Sequence, residues 1–334
     1  MSKRRTFLKR VGTVGAAGLL AGCSGQSSGG DATSADESTP SGDSTPTATA
    51  TAEPEVSFGD DRATFYMSPS EPQQLMQAQY GPVQERLQSQ LDVQSATLQY
   101  AAGYSAVLQS LAGGTGDIAE TGPFAAALGV AHDRCDIVLQ RYGYGSWTYS
   151  SVIVTQEGSD IESLSDLEGE RVAFADRLSA SGALYPLYML KQAGLTIGDL
   201  PTDTGDADFT PQFSSHAEAF AALERGQVAA AGVGQFLTLN DNRELEDGFR
   251  FVETTDDIPR APIVVSPELS DEEQTAVTET LLNAPDSMYL GEDGEEGTDD
   301  DLWFSDVREA SNETYQPVVD VANELGISAE LLDS

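Results

Sequence analysis

The chain is 334 residues long and carries 55 acidic against 17 basic residues, a formal charge of −38 at neutral pH, with two histidines and two cysteines. That balance argues against nucleic acid or an anionic membrane surface as a partner, because neutralising phosphates takes clustered Lys and Arg. Two histidines and two widely spaced cysteines offer no zinc-type cluster, so no metal site and no cofactor are expected.

The N-terminus reads Ser2-Lys3-Arg4-Arg5-Thr6-Phe7-Leu8-Lys9, a twin-arginine export pattern. The apolar run behind it, Val11 to Ala21, is about a dozen residues and too short to span a bilayer. It ends in Leu20-Ala21-Gly22-Cys23, which resembles a lipoprotein lipobox, and the resemblance implies that Cys23 is lipidated and anchors the mature chain to the outer face of the cell membrane. Residues 1–22 are therefore read as signal peptide. Residues 23–54 are mostly Ser, Thr, Gly, Ala, Asp and Pro and cannot bury enough surface to fold, so they read as a lipid-anchored disordered tether. Such a tether reaches about 30 Å root-mean-square. Five of the basic residues precede Cys23, which leaves 12 against 55 in the mature chain, or −43, with Lys191 its only lysine. This acidic, lysine-poor composition is similar to that of extreme halophiles, where molar salt cuts the Debye length to about 3 Å. Cys135 then has no partner for a disulfide and reads as a buried structural thiol.

The body of about 280 residues is long enough for two lobes. Arg62 to Met67 suits a strand, Pro72 to Leu91 an amphipathic helix with Leu75, Tyr80, Val83, Leu87 and Leu91 as its apolar stripe, Ser95 to Tyr100 a second strand, and Ser105 onward a second helix. Asp117 to Phe124 runs from a short strand into a helix with Pro123 at its first position. Ile137 to Tyr142 and Tyr149 to Thr155 are strands, and the aromatic, Gly-containing passage between them reads as a crossing into a second lobe. That lobe takes in Leu164 to Leu167, a strand over Val172 to Ala175 and a helix ending near Ala193-Gly194. Ser215 to Glu218 is a capping box that places His216 in a first helical turn. Val228 to Val233 is a strand, Phe249 to Glu253 leads back toward the first lobe, and Pro259 to Val265 is a single crossing strand. Ser270 and Glu273 form a second capping box on a helix through Leu282. Gly291 to Asp301 is an acidic loop without the ordered ligand spacing of an EF-hand, and a last helix covers Thr314 to Leu325.

Four helix starts fall beside strand ends: Tyr104/Ser105, Thr121 to Pro123, Ser179 to Ser181, and Ser215/His216. Ligands of open α/β sheets lie outside the carboxyl ends of the strands, and helix N-termini offer free N–H donors, so these starts suit a small anion. An ordinary Ser cap on a strand-to-helix turn produces the same local pattern at Ser179 to Ser181. Pro186 lacks the N–H that Gly182 O would accept, which predicts a loose first turn.

Asp176-Arg177-Leu178-Ser179-Ala180-Ser181-Gly182, followed by Leu184-Tyr185-Pro186-Leu187-Tyr188-Met189-Leu190, preceded by Gly169 to Ala175 and followed by Lys191 to Gly194, resembles the signature region of phosphate/phosphite/phosphonate-type ABC transporter solute-binding proteins. Gly116 to Phe124, Ser215 to Leu223 and Pro262 to Val265 extend the resemblance over most of Arg62 to Leu282. It implies an α/β, two-lobed periplasmic-binding-protein (Venus-flytrap) fold of type II-like form, each lobe a mixed sheet flanked by helices. The lobes would be 58–148 plus 257–334, and 149–256. It also implies a monomer that delivers a small anionic ligand to a permease and ATPase, with no chemical step. Tyr104, Ser179, Ala180, Ser181 and His216 correspond to the family's oxyanion-contacting positions. Thr121, at a neighbouring helix start, is a further expected contact. Arg260 reads either as a charge-assisted contact or as an exposed structural arginine. Relatives often carry an aromatic where this chain has Ala126, and acids where it has Ala229 and Ala261, which disfavours an amine-bearing phosphonate and favours phosphate, phosphite or an uncharged-tail phosphonate. Two other readings stay open: a lipoprotein that senses the ligand for a partner receptor, and an enzyme on a similar fold, for which no nucleophile–base pair stands out.

Overall fold

A computed structural model describes residues 61–240, 242–327 and 331–332. The signal segment, Cys23 and the tether lie outside the described residues. No helix among the described residues is long and apolar enough to cross a membrane.

The first half-sheet grows from β1 (Arg62–Met67), α1 (Gln73–Gln90), β2 (Ser95–Tyr100), α2 (Tyr104–Ala112), β3 (Ile118–Glu120) and α3 (Pro123–Ala131). β1 alternates, sending Ala63, Phe65 and Met67 inward, as period-2 geometry requires. α1 buries Met76, Tyr80, Val83 and Leu87 against it. Met76 takes the place expected of Leu75, because a 3.6-residue period puts 76, 80, 83 and 87 on one face. β4 (Asp136–Gly143) joins the same sheet, and the chain then crosses to β5 (Thr148–Gln156), which opens the other sheet together with β6 (Arg171–Phe174), α4 (Tyr185–Gln192), β7 (Thr210–Phe213), α5 (His216–Glu224), β8 (Ala230–Gly234) and β9 (Phe249–Pro259). The chain returns through β10 (Pro262–Val265), α6 (Asp271–Leu282), β11 (Phe304–Glu309) and α7 (Gln316–Leu325).

The result is two mixed sheets with strand orders β11-β4-β10-β3-β1-β2 and β7-β6-β8-β5-β9. β2, β1 and β3 run parallel, with β10 antiparallel to β3 and β4. In the second sheet β7, β6 and β8 run parallel, with β5 antiparallel to β8 and β9. Both sheets therefore present parallel strand ends that feed helix starts.

Two crossings join the sheets: Tyr144 to Trp147 between β4 and β5, and Arg260-Ala261 between β9 and β10. They lie side by side, since Arg260 N–H donates to Trp147 O at 2.9 Å and Arg141 N–H to Ala261 O at 3.3 Å. The stretch from Pro259 to Val265 is thus two strands interrupted at Arg260-Ala261, where the expectation was one. β9 is eleven residues long, well beyond the expected Glu253. All described residues fall in one unit, Val56–Ser334, and the two sheets share a buried cluster. In it Leu108, Phe124 and Leu128 meet Leu178, Leu184 and Tyr185, with Tyr315 and Val318 from the C-terminal region. α7 packs on both α3 and α4, and Lys191 Nζ donates to Glu324 O at 2.6 Å. Cys135 is buried beneath α3, and burial pushes its thiol pKa up.

Candidate functional site

The turn after β6 is built by the residues that the sequence singles out. Ser179 caps it by accepting the Gly182 N–H at 3.1 Å. Residues Ala180–Leu184 form one wide turn before α4, the looseness expected from Pro186. The Gly182 carbonyl, which Pro186 cannot bond, instead accepts the Ala175 N–H at 2.8 Å. The turn is thereby tied to the end of β6. Residue 182 must be glycine, because a Cβ there would lie 2.6 Å from His216 Cε1 and 3.0 Å from Ser179 Oγ.

His216 opens α5 behind the Ser215–Glu218 capping box. Its Nδ1 accepts the Gly234 N–H at 3.3 Å, so the neutral ring carries its proton on Nε2, which sits 2.9 Å from Ser179 Oγ. Desolvation pushes the His216 pKa down to about 4, so the ring is neutral at physiological pH. Ser179 Oγ then accepts from Gly182 and from His216, which occupies both lone pairs and leaves its own O–H as an outward donor. The Ala180 and Ser181 N–H groups precede the turn's first bond.

Contacts link the remaining expected residues to this turn. Ser179 N–H donates to Asp176 O at 2.8 Å. The Asp176 carboxylate accepts the Leu178 N–H at 2.8 Å and approaches Gly103, the residue before Tyr104. Burial raises the pKa of Asp176, and burial and then Glu120 raise that of Tyr104. The Tyr104 ring packs across Gly122, where an added Cβ would lie 3.3 Å from it. Thr121, one residue back, is 1 % exposed, and its Oγ1 has no hydrogen-bond partner among the described residues. Beneath it lies a buried ion pair, Arg141 Nη1 to Glu120 Oε2 at 2.9 Å. Arg141 also donates to Tyr80 Oη, Thr121 O and Ala261 O, while Glu120 accepts the Ser68 N–H at 2.6 Å. Arg141 thus fixes the backbone of both Thr121 and the second crossing.

Arg260 occupies that crossing. It is 6 % exposed, so the alternative of an exposed structural arginine does not hold. Its Nε donates to Ser146 O at 2.9 Å, and its guanidinium lies 5.3 Å from the Tyr144 ring centroid and 5.6 Å from that of Tyr149. Among the described residues no carboxylate lies within ion-pair distance of it. Desolvation lowers its pKa, and Tyr149 opposes that shift. Tyr149 closes the circuit: burial raises its pKa, and the Ser181 side chain and backbone beside its hydroxyl counter that rise. Phe236 leans on both Tyr149 and His216, at 6.2 and 5.8 Å between centroids. Tyr104, Thr121, Ser179, Ala180, Ser181, His216 and Arg260 are therefore connected through named contacts around one region where the two sheets meet.

Sequence reasoning missed Tyr149, Arg141, Asp176 and Phe236 as members of this region. It also misplaced Ala229, whose N–H bonds Arg171 O at the start of β6, the end of the sheet away from the turn. An acid at 229 would not face the site, so its absence says nothing about ligand. Ala126 is fully buried in the core, whereas Ala261 does adjoin Arg260.

The profile of the family described as "ABC transporter, phosphonate, periplasmic substrate-binding protein" matches residues 65–315. The chain belongs to this family. A curated relative, the phosphate-import protein PhnD of Mycolicibacterium smegmatis, is 28 % identical over 190 residues, which cover 55 % of this chain and 58 % of that one, so the chain spans little more than half of that relative's length. Among solved structures, a binding protein component of an ABC phosphonate transporter from Pseudomonas aeruginosa superposes with a TM-score of 0.64 at 20 % identity over 79 % of this chain and 86 % of that one. PhnD1 from Prochlorococcus marinus in complex with methylphosphonate gives 0.63 at 17 % identity over 80 % and 99 %. These superpositions carry the two-lobed binding-protein fold of the family.

Proposed function

We propose that this protein is the solute-binding component of an ABC importer and captures a phosphorus oxyanion, that is phosphate, phosphite or a phosphonate, between its two lobes. The observation that carries the reading is a set of donors brought together where strand ends of both sheets meet: the Thr121 hydroxyl without a partner among the described residues, the outward Ser179 O–H, and the buried Arg260, which has no carboxylate beside it among the described residues. Donors fixed at hydrogen-bond distance in a desolvated site act on an anion with little screening, so they outweigh the diffuse acidic surface. The lobes are read as 58–148 plus 257–334 and as 149–256, hinged at the two crossings. The protein is proposed to act as a monomer without a chemical step, held outside the cell membrane by lipidated Cys23, and to pass its ligand to a permease and ATPase. Thermal unfolding in molar KCl with phosphate, phosphite, methylphosphonate and sulfate tests this. A ligand at 100 times its dissociation constant adds about 2.7 kcal/mol, or roughly 5–10 °C for a body of this size. If no phosphorus anion raises the midpoint, the assignment is wrong.

A further inference from the structure

The region has two chemically different ends. At the turn after β6 the donors are neutral: hydroxyls, backbone N–H groups and a His216 ring kept uncharged by burial. Across the Tyr149 ring the groups are cationic. Arg260 is 94 % buried there and spends one N–H on Ser146. Arg243, on the loop between β8 and β9, lays its guanidinium 4.8 Å from the Tyr144 ring centroid, and Arg260 lies 5.3 Å from the same ring. Tyr144 stacks on Trp303 at 6.3 Å with an interplanar angle of 22°, which helps to orient this exposed ring.

Among the described residues neither arginine has a carboxylate within ion-pair distance. The nearest paired cation, Arg141, is already neutralised by Glu120. Two cations thus share one ring in a chain that holds only 12 basic residues after Cys23 against 55 acidic ones. A desolvated arginine is costly unless an anion accompanies it, and a guanidinium fork matches carboxylate and phosphoryl oxygens bidentately. A neutral cradle suffices for one oxyanion, which leaves the cationic end for another. Two acids, Glu120 and Asp176, lie on the Tyr104 side instead, and Glu120 is paired with Arg141.

We propose that the ligand is an organophosphorus acid with a second acidic group, its phosphoryl held by the turn at Ser179 to Ser181 and its second acid by Arg260 and Arg243 beside Tyr144. This rests on the phosphorus-oxyanion reading above. The test is calorimetric titration of the mature chain, at fixed ionic strength, with phosphonoacetate, methylphosphonate and 2-aminoethylphosphonate. Phosphonoacetate should bind at least about 10-fold more tightly than methylphosphonate, the step expected of one charge-assisted contact. In Arg243→Ala and Arg260→Gln the ratio between these two ligands should shrink to within about 3-fold. Arg243 is exposed and lays its guanidinium against the Tyr144 ring, so its variant decides the matter if Arg260→Gln fails to fold. A wild-type preference for methylphosphonate or 2-aminoethylphosphonate overturns the second-acid inference and leaves the oxyanion reading standing. So does a ratio that neither variant changes. If none of the three binds, the second-acid inference falls, and the oxyanion reading is decided by phosphate and phosphite in the thermal unfolding test.

Discussion

Replacing Thr121 by Val should stabilise the ligand-free protein and weaken its ligand binding, two effects of opposite sign from one atom. The Thr121 side chain is buried, and its Oγ1 lacks a hydrogen-bond partner among the described residues. An unsatisfied buried hydroxyl costs about 1–3 kcal/mol, which an isosteric methyl group does not. The backbone is unaffected, because Arg141 holds Thr121 through its carbonyl at 3.3 Å. At about 2–4 °C per kcal/mol for a body of this size, the unliganded midpoint should rise by roughly 2–12 °C. A hydrogen bond to a charged ligand contributes about 1.5–3 kcal/mol, so affinity should fall by roughly 10- to 150-fold. Scanning calorimetry without ligand and titration calorimetry with phosphate or methylphosphonate read the two effects separately. A lower midpoint with unchanged affinity would refute the reasoning and make Thr121 an ordinary structural side chain.

Other substitutions probe the supports of the site. Glu120→Gln leaves Arg141 buried and charged against Tyr80, Thr121 O and Ala261 O, and should lower stability by about 3–5 kcal/mol, measured by chemical unfolding. His216 has a folded pKa of about 4, below the unfolded value of 6.5. The unfolded chain therefore binds the extra proton between these values, and stability should fall by about 3 kcal/mol as pH drops from 6.5 to 4. His216→Gln should flatten that part of the pH profile; an unaltered slope would show that other groups produce it. Cys135 is buried with a raised thiol pKa and should resist a thiol reagent in the native protein and react on unfolding. Rapid native labelling would show that the helix above it opens readily.

Local signals made much of this fold legible. β1 and β2 have the bounds read from their alternation, both capping boxes close as read, and Pro186 does loosen the turn that Ser179 caps. β7 was not foreseen because Thr210-Pro211-Gln212-Phe213 carries a proline and survives only at a sheet edge. β11 escaped for a related reason: it is an edge strand that buries only Phe304 and Val307. The seven expected site residues lay in motifs or at helix starts. Tyr149, Arg141 and Arg243 carry no such mark, since their place depends on the two crossings lying side by side. The same tertiary fact buries Arg260, which the sequence alone left as easily exposed. Ala229 shows the reverse error, a motif position read as facing the ligand although the strand's direction puts it at the far end.

The central claim is tested most directly by titrating the mature chain with methylphosphonate and phosphate, beside Ser179→Ala and against sulfate as the control anion. The account predicts saturable binding of one phosphorus anion per chain, weakened at least about 10-fold in Ser179→Ala, the loss of one hydrogen bond to a charged ligand. Absence of saturable binding, or equal affinity of the wild type and Ser179→Ala, would contradict it.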